Sequence, residues 1–206
     1  MTAGNHAHFT RCGLPGIELV PFGMHACHFY KDRDELVAGL AAYFAAGLSR
    51  NERCLWITAP PLPASEAGEA LRGRADVGAA IDAGALRIID FDAWTRRSSR
   101  SEGLDVVQLW LEEEERALAD GYSGLRVSGN PSFLAQGNWS DFMAYEQAAT
   151  APLNRRRIVA LCSYARSWCD DRQVAELVAA HDCAFEAAHG AWQVVASPTT
   201  FGGARP

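Results

Sequence analysis

Short apolar runs without polar alternation recur along this chain, and they constrain the fold more than any other feature. "RCLWIT" (53–58), "ALRIIDF" (85–91), "GLRVSGN" (124–130) and "RIVALCSY" (157–164) are too brief for buried helices. They are also too continuously apolar for strands with one wet face. Strands written this way are covered on both sides, as in a mainly parallel sheet with helices on both faces of an α/β domain. "HACHFY" (25–30) reads as the first strand and "WQVVAS" (192–197) as a further one.

Helical patterns fill the intervals. Asp32 opens a helix with Glu35 in capping-box spacing, followed by Leu36, Val37, Leu40, Phe44 and Leu48 at helical period. Ser65–Ala83 holds one or two short helices around Gly73. Leu104–Ala119, Trp139–Ala149 and Asp171–Ala188 complete the set, the Glu112–Glu115 run being a solvated face. Residues 1–23, rich in Gly and Pro, read as an irregular lead-in, 24–197 as one domain and 198–206 as a tail.

The chain has 206 residues, 49% hydrophobic and 21% charged, enough for a sizeable core. A net charge of −6 argues against direct nucleic-acid binding, which needs a basic face. Lys31 is the only lysine, which removes Schiff-base and phosphate-loop chemistry. There is no secretory signal and no apolar run long enough to span a membrane, so the expected location is cytoplasmic. The six scattered cysteines then read as reduced thiols.

Enzyme motifs are missing: no G-x-x-x-x-G-K-[ST], no G-x-G-x-x-G opening a helix, no G-x-S-x-G. A Cys162–His181 pair drawn as nucleophile and base is the one enzymatic alternative. Polar residues on apolar faces give better candidates. In "HACHFY" the strand period places His25, Cys27 and Phe29 on one face and Ala26, His28 and Tyr30 on the other. His181 continues an apolar stripe of Val174, Leu177, Val178 and Phe185 on the last helix. Arg126 in its covered strand and Glu146 on the apolar side of its helix are expected to pair with each other or with a ligand. Paired short Cys/His spacings of the zinc-finger type are absent.

The order "HACHFY-KDRDEL", "GLSRNERCLWIT", "GALRIIDFDAW", "DGYSGLRVSGNPSF", "FMAYEQAAT", "LCSY" and "HDC" resembles the MEDS sensory domain over roughly Met24–Phe185. The resemblance implies a RecA-like, KaiC-like α/β topology lacking a phosphate-binding loop. It also implies a sensory domain of prokaryotic signal transduction or transcription regulation that binds a small apolar or hydrocarbon-derived ligand. The matching polar and aromatic positions are His25, Tyr30, Arg126, Glu146, Cys162, Tyr164 and His181. The implied partners are the small organic ligand and an output protein, separate or fused, such as a histidine kinase or a DNA-binding regulator, with a homodimer left open. Since some 25 residues follow His181, the output domain is expected on another protein or on a longer chain. The expected pocket lies at the carboxyl ends of the strands, walled by Trp56, Trp94, Trp139 and Trp168. The alternative is a metal, haem or redox sensor built on His25, Cys27, Cys162 and His181.

Overall fold

The computed structural model describes residues 9–59, 62–74, 77–96, 106–130, 138–188 and 191–196. The strands are β1 (Phe9–Arg11), β2 (Leu19–Pro21), β3 (Met24–Tyr30), β4 (Arg53–Thr58), β5 (Leu86–Asp90), β6 (Leu125–Gly129), β7 (Ile158–Ala165), β8 (Cys183–Ala188) and β9 (Ala191–Ala196). The helices are α1 (Arg33–Leu48), α2 (Ala64–Arg72), α3 (Val77–Asp82), α4 (Phe91–Thr95), α5 (Val106–Ala119), α6 (Trp139–Leu153) and α7 (Asp171–Ala180). Seven strands form one sheet in the order β5–β4–β6–β7–β3–β8–β9. Every pairing in it is parallel except that of β8 with β9. The α/β architecture expected from the apolar runs is therefore present. Among the described residues, no helix is long and apolar enough to cross a membrane.

Helices cover both faces. One core lies between the sheet and α1, α2 and α3, and takes Met24, Ala26, Tyr30, Trp56 and Val159 from the strands. The other lies under α4 to α7, and takes Cys27, Phe29, Val127, Cys162 and Tyr164. Every residue of β3, β6 and β7 is buried, as the absence of polar alternation requires. Asp32 caps α1 by accepting from the Glu35 amide, and Asn51, at a φ of 57°, turns the chain out of its far end. The β3–α1 connection is Lys31 and Asp32 alone, with no glycine-rich loop to wrap a phosphate.

Three expectations are corrected. The lead-in is not wholly irregular: β1 and β2 form an antiparallel hairpin whose Cys12, Leu14 and Val20 are buried against α1's side of the sheet. The last helix stops at Ala180, and Cys183–Ala188 is a strand beside β3. Here the His181 ring bonds the Leu177 carbonyl and occupies the helix end. Asp182 then binds β3 twice, its amide donating to the His25 carbonyl and its carboxylate accepting from the His25 amide. The alanines of this segment favour helix locally, but these pairings outweigh a propensity difference of tenths of a kcal/mol per residue. Finally, the Glu112–Glu115 run is only half solvated. Glu113 is buried against Arg87 and Arg116, and Glu114 against Arg156 and the Arg157 amide.

Arg126 does not pair with Glu146, because the two lie on opposite sides of the sheet. Its Nε donates to Glu52 at 2.7 Å, and its Nη atoms donate to the carbonyls of Cys12, Tyr43 and Arg11 at 2.9, 3.1 and 2.6 Å. The guanidinium stacks 4.5 Å from the centre of the Tyr43 ring. Thr10 completes the knot by donating to Glu52. A buried charge so fully partnered is a structural clamp joining the hairpin, α1, the turn before β4 and β6, and removing one partner of such a pair costs about 3–5 kcal/mol.

Gly47 in α1 makes room for the clamp: a Cβ there would stand 2.6 Å from Arg126 Cδ and 3.0 Å from a Glu52 oxygen. Gly47→Ala should therefore destabilise the protein by about 1–3 kcal/mol in urea unfolding, although alanine is intrinsically the better helix former by about 1 kcal/mol. A gain in stability would mean that Arg126 is not held against that turn.

Candidate functional site

On the α6 side of the sheet, polar side chains from four separate elements meet in an otherwise apolar interior. Strand alternation turns His25 of β3 and Cys162 and Tyr164 of β7 toward α6. Glu146 points inward from α6, and His181 enters from the turn between α7 and β8. All five are essentially sealed from solvent.

The distances are short. His25 Nε2 lies 3.3 Å from Cys162 Sγ and 3.6 Å from Glu146 Oε2. His181 Nε2 lies 3.4 Å from the same Glu146 oxygen, and the two imidazole rings are 4.2 Å apart at 34°. One donor atom from each of His25, Glu146, Cys162 and His181 falls within 4.8 Å of all the others. Tyr164 stands with its ring 5.9 Å from that of His181, and Trp110 of α5 packs 6.4 Å from that of His25.

The hydrogen bonds behind the rings fix what the front atoms present. His181 Nδ1 lies 2.7 Å from the Leu177 carbonyl, which only accepts, so Nδ1 carries the proton and Nε2 presents a lone pair. Thr150 donates its hydroxyl proton to the Ala180 carbonyl at 2.9 Å, so it accepts from His25 Nδ1 at 3.0 Å. His25 Nε2 is therefore a lone pair as well. Both face a carboxyl whose two oxygens make no hydrogen bond, and His181 Nε2 makes none either. This is an unusual concentration of unsatisfied buried acceptors.

Burial sets the protonation. It lifts the Glu146 carboxyl to about 8, an effect opposed by the Tyr164 hydroxyl. His25 is pushed well down by burial and then by the neighbouring His181, and His181 is lowered to about 4 by burial, partly offset by the Leu177 carbonyl. Cys162 and Tyr164 are both held up, by burial first and then by the charge Glu146 would carry. A thiol held protonated is a poor nucleophile, and the imidazole at hydrogen-bonding distance from it is His25. The Cys162–His181 enzymatic alternative gains no support.

Of the positions singled out in the sequence, His25, Glu146, Cys162, Tyr164 and His181 come together, and Tyr30 and Arg126 do not, both belonging to the α1 face. Cys27 shares the site's face but is not one of the four converging donors. Nor does the site lie at the carboxyl ends of the strands: His25 is the second residue of β3, and His181 precedes β8. Among the tryptophans offered as wall, Trp56 packs on the opposite face and Trp168 is 41% exposed, whereas Trp94 is buried and Trp139 part-buried on the α6 side. Trp110 and Thr150 were not singled out. Thr150 had a legible signal, standing four residues after Glu146 and hence on the same helix face.

The Glu146 carboxyl is raised from an ordinary 4.5 to about 8. Its contribution to metal-free stability is thus full below about 4.5 and lost as pH rises through about 8. Glu146→Gln removes that titration while leaving the facing groups His25, His181, Cys162 and Tyr164 in place. Urea unfolding of metal-free protein should show the variant gaining on the parent as pH rises across this window, by on the order of 1 kcal/mol per pH unit. Parallel stability curves would mean that the carboxyl titrates normally.

A family profile described as MEDS, the MEthanogen/methylotroph, DcmR Sensory domain, matches residues 24–182, which include all five converging residues. No curated protein matches the chain. The match leaves out the β1–β2 hairpin and the β8–β9 strands but takes in most of the parallel sheet and the whole site. The chain belongs to the MEDS family of sensory domains.

Proposed function

We propose that this sensory domain is the cytoplasmic input module of a prokaryotic signal-transduction or transcription-regulation system, and that its ligand is held at the His25–Glu146–Cys162–Tyr164–His181 cluster. One observation carries the reading. Hydrogen-bonding groups from β3, α6, β7 and the α7–β8 turn converge in a dry interior, and Glu146 and His181 keep atoms there without a partner. Folding alone gives no gain from such an arrangement, because each unsatisfied buried group costs about 1–3 kcal/mol. A ligand that completes it recovers that cost.

The surroundings favour something small. Phe29 and Phe142 pack on Tyr164, and Trp110 on His25, so an apolar body would meet aromatic rings while a polar end meets Glu146 or His181. A one- or two-carbon hydrocarbon derivative has that character.

The means of transmission lies in α6. Glu146 faces the ligand, and one turn later Thr150 joins the His25 ring to the last carbonyl of α7. A ligand drawing on Glu146 would favour one seating of α6 and α7 over another, and the shifted population is what an output protein reads. That output protein, a histidine kinase or a DNA-binding regulator, is separate from this acidic domain or fused to it.

Calorimetry and hydrogen exchange with methanol, ethanol and dichloromethane as probes test the reading. At least one should bind, slow exchange in α6 and lose about tenfold or more in affinity in Tyr164→Phe or Glu146→Gln, as expected when a buried charged or polar partner worth roughly 1.4 kcal/mol or more is removed. Probes that leave the α6 amides unmoved in the folded protein overturn the organic-ligand reading.

The second reading, a metal, haem or redox sensor, is favoured by a different observation: four donor atoms of mixed type meet at one point. A haem iron takes at most two protein ligands, on opposite sides of its ring, so this convergence suits a single ion better than a macrocycle.

A further inference from the structure

Three of the six edges of the donor cluster have the lengths of a metal coordination polyhedron, and all four donor atoms lie within 4.8 Å of one another. In a tetrahedral zinc site the bonds are about 2.0–2.1 Å to nitrogen, 2.0–2.2 Å to oxygen and 2.3 Å to sulfur, which sets neighbouring ligand atoms roughly 3.3–3.8 Å apart. The observed separations are 3.3 Å for His25 Nε2–Cys162 Sγ, 3.6 Å for His25 Nε2–Glu146 Oε2 and 3.4 Å for His181 Nε2–Glu146 Oε2.

The outer partners are also those of metal ligands. Each ring gives its Nδ1 proton to an oxygen behind it, His25 to Thr150 and His181 to the Leu177 carbonyl, and so turns a bare Nε2 toward the centre. Ligand histidines are oriented in this way. Two nitrogen lone pairs, a carboxyl and a thiol then face one another, and the chain's donors among them are the thiol and carboxyl protons and the Tyr164 hydroxyl. These protons leave both Glu146 oxygens and His181 Nε2 without a hydrogen bond. A cation satisfies all four at once.

We propose that His25, Glu146, Cys162 and His181 form a closed tetrahedral site for a divalent transition-metal ion of the zinc class. The inference deepens the second reading, the metal sensor, by naming its ligand set and the class of ion, and it rests on the sensing role only for its biological consequence. On binding, Cys162 loses its thiol proton and Glu146 any proton it carries, both to solvent, and the ion takes their place. No electron moves. Zinc and cobalt(II) suit this mixed nitrogen, oxygen and sulfur set, whereas calcium and magnesium require oxygen ligands. Because the ligands come from β3, α6, β7 and the α7–β8 turn, occupancy would fasten both helices to the sheet.

The test uses the full chain, stripped with a chelator, dialysed and titrated with cobalt(II) as the probe. The expected result is one equivalent bound, a thiolate-to-cobalt charge-transfer band, the visible ligand-field bands of a tetrahedral ion, and loss of both on adding zinc. Cys162→Ser should keep ligand-field bands but lose the thiolate band. Thr150→Val, which removes the partner behind His25 together with its bond to the Ala180 carbonyl, should weaken binding about tenfold. Should the cysteine variant fail to fold, X-ray absorption of the wild-type adduct reads the same point as one sulfur and three nitrogen or oxygen neighbours. Folded wild-type protein without cobalt bands, or a neighbour shell with no sulfur or more than one, overturns the site. That failure leaves the organic-ligand reading standing, since the alcohol and haloalkane probes are scored on chelated protein.

Discussion

The pairing of β3 with β7 on one side and β8 on the other is the constraint on which the molecule depends. It places a short, wholly buried strand at a junction that joins the first element of the sheet to two of the last. Through it, His25 comes into register with Ala160 beside Cys162, and the chain leaving α7 is drawn in by the two hydrogen bonds between Asp182 and the backbone of His25. Parallel strands cannot be joined by a tight turn, so these contacts close long loops and are entropically costly to form. The site is built at that junction, where residues 25, 162 and 181 become neighbours.

The sheet also separates two kinds of buried charge that look alike in one dimension. Arg126 is satisfied by Glu52, three carbonyls and the Tyr43 ring. Its role is mechanical. Glu146, across the sheet, has no cationic partner, and burial holds its carboxyl at about 8 against the opposing Tyr164 hydroxyl. A complete network holds a fold together, while an incomplete one on a covered face calls for something from outside the chain. That contrast, rather than burial itself, distinguishes the clamp from the site.

The position of the candidate site bears on the proposed sensing role. It sits on the sheet face beneath α6 rather than at the open carboxyl ends of the strands, where ligands of open parallel sheets commonly bind. A ligand at the strand ends can be grasped by loops. One beneath α6 reaches its partners through the seating of that helix and is coupled to α7 through Thr150 and Ala180. Such a geometry favours a binding event that alters packing, as a sensory domain requires.

The sequence by itself determined six of the sheet's seven strands, β8 being the exception. Unalternating runs such as "RIVALCSY" can only be buried on both faces, and the period of a strand was enough to place His25 and Cys27 together and His28 and Tyr30 opposite. It also marked Glu146, Cys162 and His181 as polar groups on apolar ground. Tertiary structure decided what those groups meet. Which side of the sheet Arg126 and Glu146 occupy depends on which helices pack there, and the end of α7 was fixed by Asp182 binding β3 rather than by the alanines around it. The donor set at 25, 146, 162 and 181 has no short spacing to betray it, because each donor comes from a separate element. Nearness there is a property of strand order and register, which no local pattern in the chain encodes.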